Sequence, residues 1–348
     1  MPPSHPKLLL IKRDKIGDMV LTTPLLRLLK EALPNCELHV LANDYNDWVL
    51  SANPHVDHCW VFPRIRHNGK LRLGSVWRYL KILLTLRRKN FDVVLVGNGS
   101  ESHRAISLGL GLKGKRTIAY CKKTVKGLSD PLPEPTEGHE SRRLLNLASA
   151  LGINVGQAGV QPEFHPQASA LHGAETWLKR NDLMPGAYLL LGLGARRQHR
   201  QPTAAQVLRW SQLCHDRFGL KTALVWSPGT RDNPLYPGDN ELAAEILARQ
   251  SPHILPCQDG LQTVVGLAWL ARCNVFPDSG LMHIASACPG GVVGLFADTA
   301  HSSSPDMWGP IGDRQVTLVA DKAVAEMADE EIIGAVARLI ANTVPGVA

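Results

Sequence analysis

The sequence predicts an α/β protein made of two consecutive domains, each built on a parallel β-sheet. Short apolar runs alternate with amphipathic stretches along both halves of the 348 residues, as in βα units. A chain of this length exceeds one ordinary core and suits two domains. The segment 154–167 is rich in Gly, Pro and Gln and lacks periodicity, so it is the candidate linker. We therefore expect domains at 1–160 and 161–348, with the last helix either in the second domain or packed back on the first.

The first half begins with a predicted strand, a ligand-binding loop and a helix. Apolar runs predict strands at 7–12, 37–42, 59–62 and 91–96. The first helix should begin near Thr22 or Thr23, because Pro24 is tolerated only near a helix start. Gly17 and Asp18 are then expected in the loop after the first strand, at the sheet edge where open α/β sheets bind ligands. Asp18 as a simple helix cap is the alternative.

The second half contains a strand that turns sharply into a helix. Strands are predicted at 187–193, 221–226, 271–276 and 291–296, and helices at 204–218 and 240–250. After 271–276, the residues Pro277-Asp278-Ser279-Gly280 lead into the helix that carries His283. Ser279 is a candidate N-cap, and the first N–H groups of this helix would attract an anion such as phosphate. An ordinary capped helix start explains the same residues without a ligand.

Positive charge is concentrated in the first half of the chain. Residues 1–150 contain 24 Lys and Arg against 13 Asp and Glu, whereas residues 151–348 contain 14 against 18. The excess peaks at 64–89, which has no acidic residue and includes apolar residues at helical spacing. Three interpretations compete: a core-facing helix with a solvated basic rim, a nucleic-acid patch, or a surface for anionic membrane or phosphorylated lipid. No recognisable DNA- or RNA-binding motif supports the second.

Composition and missing motifs exclude several classes of protein. The hydrophobic fraction of 44% and charged fraction of 20% are normal for a folded globular chain. Residues 8–11 are flanked by Lys and Arg without a cleavage-site pattern, so we expect no signal peptide and a cytoplasmic protein. Seven scattered cysteines argue against a zinc ribbon or a disulfide framework. The motifs H-E-x-x-H, D-x-D and G-x-S-x-G are absent, as is G-x-G-x-x-G after the first strand, which argues against metal sites, Ser hydrolases and NAD dehydrogenases.

Three stretches resemble glycosyltransferase family 9, the ADP-heptose:lipopolysaccharide heptosyltransferases. They are K-R-D-K-I-G-D-M-V-L-T-T-P-L-L at 12–26, the helix start at 138–143 that leads to Leu151-Gly152-Ile153, and Asp278-Ser279-Gly280 with His283. The resemblance covers nearly the whole chain. It implies the GT-B fold, in which two Rossmann-like domains with parallel sheets face one another and close over the donor.

The resemblance also implies roles for individual residues. The family's proposed catalytic base corresponds to Asp18, which would take a proton from an acceptor hydroxyl during an inverting displacement that needs no metal or other cofactor. The donor-binding residues would be Asp278, Ser279, Gly280, Leu281, His283, Arg196, Arg197, His199, Arg200 and Asp232. The residues on the acceptor and sugar side would be Gly17, Asn98, His103 and Arg104.

The basic loop 194–202 departs from the family pattern. Its arginines could fork onto diphosphate oxygens, although solvated surface side chains are the alternative. The family places a lysine before a Trp-Pro pair, whereas this chain has Gln201-Pro202, and His199 or Arg200 takes the lysine's place. Asp232 is the nearest equivalent of the family's ribose-binding acidic residue.

The function implied is transfer of a heptose from ADP-heptose to a phosphorylated glycolipid, the lipopolysaccharide inner core. The enzyme would then work in the cytoplasm with peripheral contact at the anionic face of the inner membrane, and no nucleic-acid partner is expected. Two alternatives stay open. One is a GT-B enzyme with another nucleotide-sugar donor or acceptor, and the other is a non-catalytic relative that binds a nucleotide or glycan.

Overall fold

The chain folds into two compact units, Met1–His165 and Pro166–Ala348, and each is described by itself. The computed structural model describes residues 5–63, 66–67, 70–71, 73–99, 102–122, 125–135, 137–233, 237–300 and 304–341. The division between the units falls inside the predicted linker 154–167. Within the described ranges, no helix combines the length and the apolar character needed to cross a bilayer.

The first unit is built on a six-stranded parallel sheet with the order β3-β2-β1-β6-β7-β8. Its strands are β1 (Lys7–Ile11), β2 (Glu37–Asn43), β3 (His58–Phe62), β6 (Val93–Val96), β7 (Arg116–Tyr120) and β8 (Asp130–Leu132), and a small antiparallel pair is formed by β4 (Arg66–His67) and β5 (Lys70–Leu71). The chain leaves β1 in one direction for β2 and later returns to its other side as β6. Ligands of open α/β sheets bind where the order reverses in this way.

The helices in the described part of the first unit are α1 (Ile16–Val20), α2 (Thr23–Ala32), α3 (Leu73–Arg88), α4 (His103–Gly111) and α5 (Glu140–Leu145). The start of α2 at Thr23 confirms the position inferred from Pro24. The expected loop around Gly17 and Asp18 is wrong, because both lie inside the single turn α1. Ile16, Met19 and Val20 are buried there, so local apolar packing holds a helical turn that the sequence pattern did not reveal.

The second unit repeats the same topology, with the order β11-β10-β9-β12-β13-β14. Its strands are β9 (Tyr188–Gly192), β10 (Lys221–Val225), β11 (Ile254–Pro256), β12 (Cys273–Pro277), β13 (Val292–Ala297) and β14 (Gln315–Ala320). Here the order reverses between β9 and β12. A Cβ atom at Gly192 would lie 2.3 Å from the Phe276 ring, so this close approach requires glycine at the end of β9.

Among the residues of the second unit that the structure describes, the helices are α6 (Ala168–Arg180), α7 (Ala204–Phe218), α8 (Asn240–Leu247), α9 (Leu261–Leu270), α10 (Gly280–Ser286), α11 (Pro305–Trp308) and α12 (Asp329–Ala341). The bounds of α7 match the predicted helix 204–218. Thr203 caps its start by accepting from the backbone N–H of Gln206, and Gly219 ends it in the left-handed conformation. The last described helix, α12, packs on α7 and on β12 to β14 within this unit.

Candidate functional site

Lys12 is a fully buried cation at the carboxyl end of β1, beside the point where the first sheet reverses its order. Its ammonium group donates to the carbonyl oxygen of Gly97, after β6, at 2.7 Å. It also lies 3.1 Å from an oxygen of Asp14 and 3.5 Å from one of Glu140. A buried ammonium needs such partners, because taking an unpaired charge out of water costs several kcal/mol. Lys12 therefore joins β1, the turn after β6 and α5.

Asp14 bridges the two strands that flank the reversal point. One of its carboxylate oxygens accepts from the Asn98 side chain at 2.6 Å, and the other accepts from the backbone N–H of Gly99 at 3.0 Å. The side chain of Asn43, at the end of β2, donates to the carbonyl oxygens of Arg13 and Asp14 at 2.8 and 3.0 Å. The loop between β1 and α1 is thus held from both neighbouring strands. Asn98, predicted from its turn, belongs to this network.

Asp18 is half-buried in α1, close to this network. Its carboxylate accepts from the backbone N–H of Lys15 at 3.1 Å, so it does help to cap the helical turn. Burial raises the pKa of the Asp18 carboxyl above its ordinary value; Lys12 opposes this rise, and the negative charges of Asp14 and Glu140 add to it. A carboxylate whose proton affinity is raised in this way suits general-base chemistry better than an ordinary surface aspartate does.

Glu140 and Arg143 complete the buried charges at this edge of the first sheet. The two oxygens of Glu140 accept from Nε and Nη2 of Arg143 at 2.6 and 2.7 Å, which is a bidentate ion pair within α5. The guanidinium also lies over the ring of Tyr120, 5.1 Å from its centroid, and the Tyr120 hydroxyl donates to the Arg143 carbonyl at 2.6 Å. The stretch 138–143 is a candidate only through the family resemblance, and no local pattern predicts that it pairs with Lys12.

The remaining predicted residues of the first unit fall outside this network. Gly17 is buried in α1 next to Asp18. His103 and Arg104 are exposed in the first turn of α4, where Ser102 is the N-cap and accepts from the Ala105 N–H. They stand after the β6 turn, as the family pattern implies, but neither contacts Asp14, Asp18 or Lys12 among the described residues. Ser100 of that turn lies outside the described residues.

In the second unit, Arg200 and Asp278 form an ion pair across the reversal point of the sheet. Arg200 follows β9 in a 3₁₀ turn and is buried, and its Nη1 donates to a carboxylate oxygen of Asp278, which follows β12. The sequence placed both residues at the donor site but did not predict that they bind each other. The guanidinium of Arg200 is occupied by this ion pair, so Arg200 stabilises the turn that contains Asp278. Asp278 also neutralises part of the positive charge of Arg200.

The turn after β12 has the predicted strand-to-helix geometry. Ser279 is the N-cap of α10, but its side chain makes no capping hydrogen bond, so capping does not account for it. Gly280 and Leu281 form the first turn, where N–H groups lack acceptors within the helix. His283 is buried in the middle of that short helix. This is the arrangement that the sequence predicts, with His283 as part of the packed turn.

A groove of about 1220 Å³ lies in the second unit beside the basic loop. His199, Arg231 and Asp232 line it, together with Glu241 and Glu245 of α8. His199 and Asp232, both predicted on the donor side, therefore share one cavity. Arg196 and Arg197 are exposed on the loop that leads into it.

Asp239 is a buried carboxylate that sequence reasoning missed. It accepts from the Ser227 backbone N–H at 3.0 Å and from the Gln201 side-chain amide, while the Gln201 oxygen accepts from Arg231 at 3.2 Å. Burial raises the pKa of Asp239, and its hydrogen bonds to Ser227 and Gln201 oppose the rise. Gln201, the residue that departs from the family's Trp-Pro pair, thus connects the basic loop to the wall of the groove.

One group of side chains in the first unit has the composition of a metal site. An oxygen of Glu37 lies 2.9 Å from Nε2 of His39 and 3.2 Å from Nε2 of His58. The Trp60 indole N–H, which can only donate, is 2.9 Å from Nδ1 of His39. Nδ1 is therefore the acceptor and the neutral ring carries its proton on Nε2, which cannot then ligate a metal. Burial lowers the pKa of His39, which agrees with a neutral ring, although Glu37 opposes this effect.

Comparison with known proteins identifies the family and agrees with the fold. The model of glycosyltransferase family 9 (heptosyltransferase) matches residues 79–334. Lipopolysaccharide heptosyltransferase 3 of Escherichia coli K12 is 24% identical over 324 residues, which cover 82% of this chain and 80% of that protein.

Two solved structures show the same fold. The family 9 glycosyltransferase of Veillonella parvula DSM 2008 has a TM-score of 0.80 at 16% identity and covers 97% of both chains. The E. coli ADP-heptose LPS heptosyltransferase II has a TM-score of 0.72 at 18% identity, covering 96% of this chain and 98% of its own. The expected GT-B fold with two Rossmann-like domains is confirmed. Since the family model spans well over half of the sequence, the chain belongs to glycosyltransferase family 9 and is a heptosyltransferase-like glycosyltransferase.

Proposed function

We propose that this glycosyltransferase moves a heptose from ADP-heptose to a lipopolysaccharide inner-core acceptor, with inversion and with Asp18 as the general base. The observation that carries the proposal is the environment of Asp18. Its carboxylate is half-buried at the carboxyl end of β1, its pKa is raised by burial, and the buried Lys12 holds Asp14 and Glu140 beside it. Asp18 is thus available as a base while the neighbouring carboxylates are tied to cations and amides.

The proposed reaction is one direct displacement. The acceptor hydroxyl oxygen attacks the anomeric carbon and forms the new glycosidic bond as the bond from that carbon to the ADP phosphate oxygen breaks. The hydroxyl proton passes to Asp18, and the electron pair of the broken bond leaves with ADP. General-base assistance of this kind typically contributes a factor of about 10²–10⁴ in rate.

The second unit is proposed to hold the donor. The N–H groups of Ser279, Gly280 and Leu281 would donate to the diphosphate as its charge grows, and Arg196 and Arg197 of the exposed loop would add positive charge. Asp278, held by Arg200, would shape this turn, and His283 would support it from inside. The groove with His199 and Asp232 has the size for the nucleoside, and Asp232 would accept from a ribose hydroxyl.

The acceptor side is proposed to lie around Gly17, Asn98, His103 and Arg104. His103 and Arg104 are exposed beyond the β6 turn and could meet acceptor phosphates. Because such an acceptor is a glycolipid, the protein would work at the cytoplasmic face of the inner membrane as a peripheral protein. The proposed leaving-group stabilisation uses N–H groups and arginines, so we expect turnover to be independent of added divalent metal and insensitive to a chelator.

The test measures ADP release from the purified protein with ADP-heptose and a truncated lipopolysaccharide core. Asp18→Asn keeps the oxygen that accepts from Lys15 but removes the base, so acceptor-dependent release should fall about 10²–10⁴-fold while donor binding persists. Glu31→Gln, which alters an exposed carboxylate of the same unit, is the matched control and should retain full activity. Full activity of Asp18→Asn, or no release that depends on the acceptor, would overturn the proposal.

The basic loop favours a second candidate, a family 9 enzyme with another nucleotide-sugar donor. Arg200 is engaged by Asp278, and the groove carries Glu241 and Glu245, so the donor side differs in charge from a simple arginine cluster. Thermal unfolding in the presence of a panel of nucleotide sugars separates the candidates. The ligand that protects most, followed by turnover with that donor, identifies the substrate. Protection by a nucleotide sugar without turnover on any acceptor would instead indicate a non-catalytic binding protein.

A further inference from the structure

Helix α3 (Leu73–Arg88) carries two apolar faces, although only one of them packs on the protein. Tyr79, Ile82, Leu83 and Leu86 contact the apolar core of the first unit, and Leu86 is fully buried. On the opposite side, Trp77 is 74% exposed, Leu84 54% and Leu80 42%. Residues i, i+3 and i+7 share one face of a helix, so these three side chains form a continuous exposed stripe. We call Trp77, Leu80 and Leu84 the α3 stripe.

The cations of α3 are arranged around the α3 stripe. Lys81 and Arg88, at i+4 and i+11 from Trp77, lie within it, and Arg78 and Arg87 flank it. All four side chains are exposed, and none forms an ion pair with any described residue of the chain. The helix contains no acidic residue. Apolar and cationic side chains therefore face solvent together, and no acidic residue in the described part of the chain neutralises these cations.

We propose that the α3 stripe and its cations dock on an anionic lipid bilayer. The inference deepens the proposed glycolipid acceptor and rests on it for the presence of a membrane, whereas the surface is defined by α3 alone. Tryptophan prefers the interface between lipid and water, and Lys and Arg hold their charges at the lipid headgroups while their stems contact apolar chains. Helices with an apolar stripe and a basic rim lie in the membrane plane in this way.

Charge and area favour a membrane over a second copy of the chain. A symmetric dimer through this helix would bring Lys81 and Arg88 of one copy against the same cations of the other, and like charges facing each other are repulsive. Three apolar side chains also provide much less than the roughly 800 Å² per partner of a stable protein interface. A bilayer has an anionic surface that can bind the cations of α3 and an apolar layer below it that can bury the α3 stripe.

The experiment measures flotation of the full-length protein with vesicles of phosphatidylcholine, with or without about one-third phosphatidylglycerol. Binding should require the anionic lipid and weaken as salt rises from about 0.1 M to about 0.5 M. Lys81→Gln combined with Arg88→Gln should weaken binding about 25-fold, since each cation near an anionic surface contributes about fivefold. Trp77→Ser combined with Leu84→Ser should weaken it more than about tenfold, because the lost area is apolar.

Matched controls come from the second unit. Met184→Ser changes a side chain that is 72% exposed, and Arg249→Gln removes an exposed cation; both should bind vesicles like the wild type. The substituted positions are exposed, so thermal unfolding should be unchanged in every variant. With a water-soluble acceptor, the α3 variants should release ADP at the normal rate. Vesicle binding needs no turnover, so it can succeed or fail independently of the proposed reaction.

Three results would overturn the proposal. They are absence of binding to anionic vesicles at low salt, equal binding to neutral vesicles, and unchanged vesicle binding by the Trp77→Ser/Leu84→Ser variant. Sedimentation of the wild type as a dimer that this variant converts to a monomer would assign the face to self-association instead. Binding of a single-stranded oligonucleotide in competition with vesicles, lost in the same variants, would assign it to nucleic acid.

Discussion

The two units share one sheet topology, yet they place different chemistry at the point where the strand order reverses. In the first unit, one buried cation, Lys12, is surrounded by Asp14, Glu140 and the nearby Asp18. In the second, the ion pair of Arg200 and Asp278 supports a turn whose first N–H groups lack intrahelical acceptors. The first arrangement raises the proton affinity of a carboxyl group, and the second offers donors to an anion. The shared topology puts a site at the same edge of each sheet, and the charged residues around that edge determine its chemistry.

The two networks also differ in how many groups depend on the central cation. Lys12 connects β1, the β6 turn and α5, so losing its charge leaves two carboxylates and an arginine to rearrange. Arg200 has one carboxylate partner, and Asp278 retains part of its exposure to solvent. We therefore expect the first network to be the more sensitive to a single substitution.

The largest stability effect is expected for Lys12→Met. Met has a volume similar to that of Lys, but it removes the buried cation beside Asp14 and Glu140. The free energy of unfolding of the first unit should therefore fall by about 3–5 kcal/mol. Amide hydrogen exchange of β1 and β6 measures this cost locally, since a two-unit chain need not unfold in one step. Lys115→Met, which breaks an exposed pair with Asp92, is the control and should cost less than about 1 kcal/mol.

Lys12→Met should also change how activity depends on pH. Lys12 opposes the rise in the pKa of Asp18, so its removal raises that pKa further and the base stays protonated to higher pH. The acidic limb of the profile for kcat/KM should therefore move to higher pH. A purely structural role would lower activity equally at all pH values, and an unmoved limb would show that Lys12 does not set the proton affinity of Asp18.

A smaller effect is expected for Arg200→Met in the second unit. Asp278 is only partly buried, so losing its ion pair with Arg200 should cost about 2 kcal/mol, measured by amide exchange of β9 and β12. Adding Asp278→Asn should recover part of it, because the remaining side chain is then neutral. Arg180→Met breaks the exposed pair with Asp259 and should cost less than about 1 kcal/mol. Equal costs for Arg200→Met and Arg180→Met would contradict a buried supporting role for Arg200.

Sequence patterns revealed the local features of both sites but not their partners. The turn at 277–281 and the place of Asp18 between β1 and α2 follow from residues adjacent in the chain, where strand, turn and helix signals apply, although the turn α1 around Asp18 does not. The bonds from Lys12 to Glu140 and from Arg200 to Asp278 join residues 128 and 78 positions apart, and no local pattern carries such pairing.

Some elements were missed for a related reason. Strand β14 is largely half-exposed at the edge of its sheet, and β8 has only three residues, so neither has the continuous apolar run of β1 or β9. The sequence predicts a loop in place of helix α1, because five residues are too few to show a helical period. By contrast, α7 has a capping residue at its start and a glycine at its end, and its bounds could be predicted from these two signals.

The smallest expected effect is an increase in stability on replacing the proposed base. The folded protein raises the pKa of Asp18, so the ionised carboxylate destabilises the first unit at pH values above the ordinary pKa of an aspartate. This destabilisation disappears as the pH falls from the raised pKa to the ordinary one. Asp18→Asn removes the charge but keeps an acceptor for the Lys15 N–H. At pH 7 the variant should be more stable by roughly 0.5–2 kcal/mol, a typical gain at functional sites.

The pH dependence of this gain connects stability to function. Thermal unfolding of wild type and Asp18→Asn from about pH 4 to pH 8 should show a difference that is small at the acidic end and grows toward neutral pH. Glu31→Gln should show no such trend, since that carboxylate is largely exposed. A variant that is less stable than wild type at pH 7 would mean that the negative charge of Asp18 stabilises the fold. If Asp18 is kept for catalysis at the expense of stability, Asp18→Asn should be inactive and also more stable than the wild type.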